Sequence, residues 1–132
     1  MANEFSINLR VYIEDTDVGG VVYHVNYLKY MERARTEYLR ALGSAKAAVL
    51  ANGSLFVVVS ANINYKRPVC LDDELVVTAK VIQQARTYLV FEQTVLLDGV
   101  NICEGQVKIA CVNADSFRPT VIPSDIAAAI KN

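Results

Sequence analysis

Glu14-Asp15-Thr16-Asp17-Val18-Gly19-Gly20-Val21-Val22-Tyr23-His24 runs straight into Val25-Asn26-Tyr27-Leu28 and the longest helical pattern of the chain. Carboxylates, two glycines and the only histidine of the protein share a loop that feeds a helix N-terminus. There, free backbone N–H groups and the helix dipole favour developing negative charge. Such a loop reads as an active site. It also divides the chain: a strand pattern precedes it, one dominant helix follows it, and strands occupy nearly everything beyond.

Upstream, Phe5, Ile7, Leu9, Val11 and Ile13 alternate with Ser6, Asn8, Arg10 and Tyr12. That period of two predicts a half-buried strand over Phe5–Ile13. Downstream, Tyr27, Leu28, Met31, Ala34, Tyr38, Leu39 and Leu42 recur at helical spacing, which predicts a helix over about His24–Leu42, roughly 28 Å long. Asn26 is a candidate cap for its first turn and Gly43 a natural stop. Ser44–Asn52 reads as a short Ala-rich helix closed by Asn52-Gly53.

Strands then follow. Val57, Val59, Ala61, Ile63 and Tyr65 alternate with Val58, Ser60, Asn62 and Asn64 up to Pro68, and Leu75, Val77, Ala79 and Val81 alternate with Val76, Thr78, Lys80 and Ile82. Leu89, Phe91, Val95 and Leu97 lead to Asp98-Gly99, a tight hairpin signal, and Cys103, Val107, Ile109 and Cys111 return. Pro123-Ser124-Asp125 starts a short closing helix through Ile130. Short turns between strands exclude the alternating pattern of a parallel sheet. The expected fold is α+β, a five-stranded antiparallel sheet wrapped around one long central helix, with edge strands available for an oligomer.

The 132 residues carry 13 basic and 14 acidic side chains for a net charge of -1. Length predicts a single domain over 1–132. Mixed charges without a basic arm or stripe argue against nucleic acid. No apolar run approaches the roughly 20 residues of a membrane span, and no signal peptide is evident, so a soluble, cytoplasmic protein is expected. Cys70, Cys103 and Cys111 are odd in number and lack metal-ligand spacing. Cys103 and Cys111, on one strand, would lie about 27 Å apart, beyond disulfide reach. Asp15-Thr16-Asp17-Val18-Gly19 resembles the start of a calcium loop, but its fifth position is Gly19, its sixth Gly20 and its twelfth Asn26 instead of glutamate, so no metal is implied.

The run Arg10-Val11-Tyr12-Ile13-Glu14-Asp15-Thr16-Asp17-Val18-Gly19-Gly20-Val21-Val22-Tyr23-His24-Val25-Asn26-Tyr27-Leu28-Lys29-Tyr30-Met31-Glu32-Arg33-Ala34-Arg35 is similar to the signature of hotdog-fold acyl-CoA thioesterases. It most resembles the YbgC type and, more distantly, 4-hydroxybenzoyl-CoA thioesterases with an aspartate before the helix. Asn64-Tyr65-Lys66-Arg67-Pro68 and the order of elements extend the likeness over nearly the whole chain. One departure is Tyr12-Ile13, where many YbgC-type sequences carry two tyrosines. The resemblance implies a hotdog homodimer with two helices under a continuous sheet, often paired into a tetramer, with acyl-CoA sites at the subunit interface. It places the catalytic carboxylate on Asp17 and the amide that polarises the thioester carbonyl on or next to His24. No cofactor is implied beyond the CoA of the substrate, and an acyl-carrier-protein thioester is an alternative substrate.

Thioester hydrolysis needs an activated oxygen, a donor for the carbonyl oxygen as it becomes an oxyanion, and a thiolate that can leave. A carboxylate serves as general base or as nucleophile. Asp17 fits both, or else is a turn-former or helix cap. Asp15 is read as a loop-shaping residue. His24 is either an auxiliary to the chemistry or a satisfied histidine. Gly20, Val25 and Tyr27 are candidate substrate-binding positions. Lys66, Arg67 and Arg86 are candidates for the CoA phosphates, or ordinary solvated charges. Glu32, two helical turns on, is a solvated or interface residue, although some hotdog enzymes catalyse from a helix glutamate. The expected function is hydrolysis of a small to medium acyl-CoA. The alternatives are a non-catalytic module that binds acyl-CoA or acyl-carrier protein, and, more weakly, a hotdog dehydratase.

Overall fold

A computed structural model describes residues 4–43, 50 and 52–131. The elements run β1 (Phe5–Arg10), a 3-10 turn (Ile13–Asp15), α1 (Val25–Ala41), β2 (Ser54–Tyr65), β3 (Glu74–Gln84), β4 (Tyr88–Leu97), β5 (Val100–Asn113) and α2 (Ser124–Lys131). The strands form one antiparallel sheet in the order β1-β3-β4-β5-β2. Helix α1 therefore carries the chain from one edge of the sheet to the other. The expected helix at Ser44–Asn52 falls almost wholly outside the described residues. None of the helices described is long and apolar enough to cross a membrane.

Periodicity explains the core. Tyr27, Tyr30, Met31, Ala34, Tyr38 and Leu39 on one side of α1 are buried against Leu75, Val77 and Ala79 of β3 and Leu89, Phe91 and Val95 of β4. Tyr38 packs edge-to-face on Phe91, with ring centroids 5.5 Å apart, and on Phe5 at 5.8 Å. α1 rests mainly on β1, β3 and β4; beyond it Val107, Ile109 and Cys111 of β5 are buried, whereas Val58 and Ala61 of β2 are exposed. Gln93, fully buried on β4, ties helix to sheet: its amide donates to the carbonyls of Met31 (2.9 Å) and Thr78 (3.0 Å), and its Oε1 accepts from Arg35 (2.9 Å). The β4–β5 turn is Asp98-Gly99 as expected, both residues having positive φ (51° and 79°). Cys103 and Cys111 are buried free thiols on β5.

Two details differ from the pattern reading. β1 ends at Arg10 rather than Ile13, and Ile13 is 75% exposed. The Asp15 carboxylate accepts the Tyr12 amide (2.8 Å) and bends the chain into the 3-10 turn, which breaks the alternation. On β2 a bulge between Val58 and Ser60 adds one residue. Phe56 and Val58 therefore share the inner face with Cys111 and Ile109, and after the bulge Ala61 and Ile63 take it up opposite Val107 and Gly105. Val57 and Val59 thus do not continue the row of Ala61, Ile63 and Tyr65.

Candidate active site

The acidic loop folds back on itself before the helix. Thr16 pairs with Val22 and Val21 with Cys70 in isolated antiparallel bridges, and the Asp17 amide donates to the Val21 carbonyl (2.9 Å). Gly20 closes the tip, its amide on the Asp17 carbonyl (3.0 Å) at φ +82°. That left-handed angle, rather than crowding, calls for glycine. Gly19 brings its amide to Asp17 Oδ1 at 2.8 Å, where a Cβ would stand 3.2 Å from the same oxygen. Asp17 is exposed, and its Oδ2 makes no hydrogen bond among the described residues.

Asp15 does the anchoring. Its carbonyl accepts the Tyr23 amide (3.0 Å) and the Asn26 side-chain amide (2.8 Å), joining the loop to the first turn of α1. Asn26 is therefore a tether to the loop rather than a cap. The Tyr30 hydroxyl is buried beside the Asp15 carboxylate without a well-formed hydrogen bond, and burial together with that carboxylate raises its pKa. His24 occupies the N-cap position of α1 without a side-chain cap bond. The amides of His24 and Val25 find no acceptor among the described residues, so two N–H groups at the positive end of the helix dipole are unclaimed.

Beside them an open cleft of about 280 Å³ is lined by Val22, His24, Tyr27, Tyr65, Lys66, Arg67 and Pro68. His24 stacks between Tyr23 (4.7 Å between ring centroids) and Tyr65 (6.0 Å), and Tyr27 leans on Tyr65 at 5.6 Å. Burial pushes the Tyr27 phenol up to about 12, so it is a neutral wall at ordinary pH. Lys66 Nζ lies 3.8 Å from Glu104, whose carboxylate is also held by Asn101 at 2.6 Å. Arg67 makes no ion pair among the described residues.

Four expected site residues, His24, Tyr27, Lys66 and Arg67, thus line one cleft. Asp17 and Gly20 sit on the adjoining loop, and Val25 opens into a second cavity along α1. Arg86 is not brought to this cluster: it lies in the β3–β4 connection, whereas the cleft sits where β2 ends and β3 has yet to begin, so the length of β3 separates them. Sequence reasoning missed Tyr65, the platform under His24, and the Glu104–Asn101 pair that engages Lys66. Tyr65 carried one signal, its place immediately before Lys66-Arg67; the other two meet Lys66 only through the β2–β5 register.

A sequence profile of the thioesterase superfamily matches residues 19–104. The match starts two residues beyond Asp17. The chain is 41% identical to the acyl-CoA thioesterase YbgC of Haemophilus influenzae over 128 residues, 96% of this chain and 94% of that protein. It is 38% identical to the acyl-CoA thioester hydrolase YbgC of Escherichia coli O157:H7, over 93% of this chain and 92% of that one. A crystal structure from Bartonella henselae, described as that of a probable thioesterase, superposes with a TM-score of 0.85 at 32% identity, covering 92% of this chain and 100% of that chain. The antiparallel sheet and its helix are those of the hotdog fold.

Proposed function

We infer that this chain, which belongs to the thioesterase superfamily, is an acyl-CoA thioesterase that hydrolyses a small to medium acyl-CoA to the free acid and CoA. The observation that carries this reading is the pair of unclaimed amides, His24 and Val25, at the start of α1, beside a loop that presents the Asp17 carboxylate. The names of its relatives support the substrate class.

In this reading the thioester carbonyl oxygen receives the two amides. Asp17 Oδ2 takes a proton from water, whose oxygen attacks the carbonyl carbon. The C=O electrons move onto the oxygen, the alkoxide is held by the N–H groups, and its collapse expels CoA as thiolate. Alternatively, Oδ2 attacks directly, and water opens the mixed anhydride. His24 steadies the group beside the thioester, Gly20, Val25 and Tyr27 contact the substrate, and Lys66 and Arg67 meet the CoA phosphates. Arg86 would serve a phosphate only from the far end of the sheet.

The protein acts as a homodimer, with a tetramer as the larger assembly, in the cytoplasm, where its three free cysteines are stable as thiols. The 132 residues act as a single domain and need no cofactor besides the CoA of the substrate. Acyl-carrier-protein thioesters are the alternative substrate. The test is release of free thiol from acyl-CoAs of graded chain length: turnover peaking at short or medium chains is expected. Binding of CoA esters without turnover at any length would leave a binding module instead.

A further inference from the structure

Strand β5 carries a bulge soon after it leaves the Asp98-Gly99 turn. Cys103 pairs with Val95 and Asn101 with Leu96, so Ile102 is the extra residue. The Ile102 carbonyl accepts the amides of both Lys66 (2.9 Å) and Arg67 (3.1 Å), which fixes the backbone of the two cations that line the cleft. Residues three apart on a regular strand face opposite ways, but the extra residue brings Asn101 and Glu104 to the same side. There the Asn101 side-chain amide donates to Glu104 Oε1 at 2.6 Å.

That side is the outer face of the sheet, away from α1. Glu104 lines a cavity of about 380 Å³ there with Asn62, Asn64, Glu92, Thr94 and Gln106, and it is not among the residues that line the cleft. Lys66 reaches across: it lines the cleft, yet its Nζ lies 3.8 Å from the same Glu104 Oε1. It is the only cation within ion-pair distance of Glu104 among the described residues. Of two neighbouring cations, therefore, Lys66 is held by a carboxylate on the outer face, whereas Arg67 makes no ion pair among the described residues.

CoA brings a diphosphate and a 3′-phosphate, anions that compete with a carboxylate for an ammonium group. A lysine on its flexible stem can exchange one oxygen partner for another, whereas Asn101 keeps Glu104 in place. We propose that Glu104 is a positioning residue for substrate binding: it holds Lys66 toward the outer face until a CoA phosphate displaces it, while Arg67 meets the phosphates without competition. This rests on the thioesterase reading and on the place of Lys66 in it. Glu104 thereby lowers the affinity for the nucleotide part of the substrate and leaves the acyl part and the chemistry untouched.

Steady-state kinetics with one short acyl group carried either on CoA or on N-acetylcysteamine, which has no phosphate, test this role. Glutamine keeps the oxygen that accepts the Asn101 amide and removes the charge, so Glu104→Gln is compatible with folding. Because the Lys66–Glu104 pair is half-exposed, Glu104→Gln is expected to lower KM for the acyl-CoA by about 2- to 5-fold with kcat unchanged. KM for the acyl-N-acetylcysteamine is expected to stay the same. In a Lys66→Met background the same substitution is expected to leave KM for the acyl-CoA unchanged as well, since the cation through which it acts is gone. An unchanged acyl-CoA KM in Glu104→Gln would overturn the role. An equal shift for both substrates would overturn it too, by showing an effect on the acyl site or the fold. So would a fall that persists without Lys66, which would mean that Glu104 repels the phosphates directly. No turnover of either substrate by the wild type would instead remove the thioesterase reading on which the role depends.

Discussion

One oxygen of Asp17 is committed to the Gly19 amide at 2.8 Å, so its chemistry rests on the other. Asparagine keeps the accepting oxygen and the turn but removes the charge. Asp17→Asn is therefore expected to lower kcat/KM for acyl-CoA by about 100-fold or more with little change in thermal midpoint. Full activity would take Asp17 out of the mechanism. Gly19→Ala probes placement rather than charge. The new Cβ would stand 3.2 Å from Asp17 Oδ1, so the exposed carboxylate must shift by a few tenths of an ångström. A loss of about 10-fold in kcat is expected, with stability changed by no more than about 0.5 kcal/mol; unchanged kinetics would show that the site tolerates the displacement.

At the level of elements, α1 and β4 are joined by more than apolar packing. Gln93 of β4 satisfies the Met31 carbonyl of α1, the Thr78 carbonyl of β3 and the Arg35 guanidinium. Gln93→Leu leaves all three short of a partner in a buried place and is expected to cost about 2 to 4 kcal/mol in denaturant unfolding. Leucine at neutral cost would mean that water replaces the amide. Strands β5 and β2 meet closely at Gly105, where a Cβ would lie 2.6 Å from the Asn62 carbonyl oxygen. Because that neighbour is backbone, Gly105→Ala is expected to destabilise by about 1 to 3 kcal/mol, read from the same unfolding curves.

For the molecule as a whole, burial of neutral acids sets an alkaline limit. The Tyr27 phenol is raised from 10.0 to about 12 in the folded protein and the Cys103 thiol from 9.0 to about 11, each chiefly by burial. A raised folded pKa means that the unfolded chain releases its proton first. Stability is then unaffected below about pH 9 and falls as pH rises through 9 to 12, by on the order of 2 kcal/mol for Tyr27 alone. Urea midpoints between pH 8 and 12 should show the fall, and Tyr27→Phe should blunt it; a flat profile to pH 12 would contradict it. Neighbouring residues alone carry the order of elements, the buried faces of β1, β3, β4 and β5 and the loop with Asp17, because period and turn chemistry are local; on α1 they misplace Leu28, which is exposed, and miss Tyr30 and Arg35, which are buried. The bulge that reverses the start of β2, the stacking of Tyr65 on His24, the contact of Glu104 with Lys66 and the distance of Arg86 from the cleft emerge only once the strands are paired. Those facts depend on register between distant strands, and register is set by packing across the whole sheet.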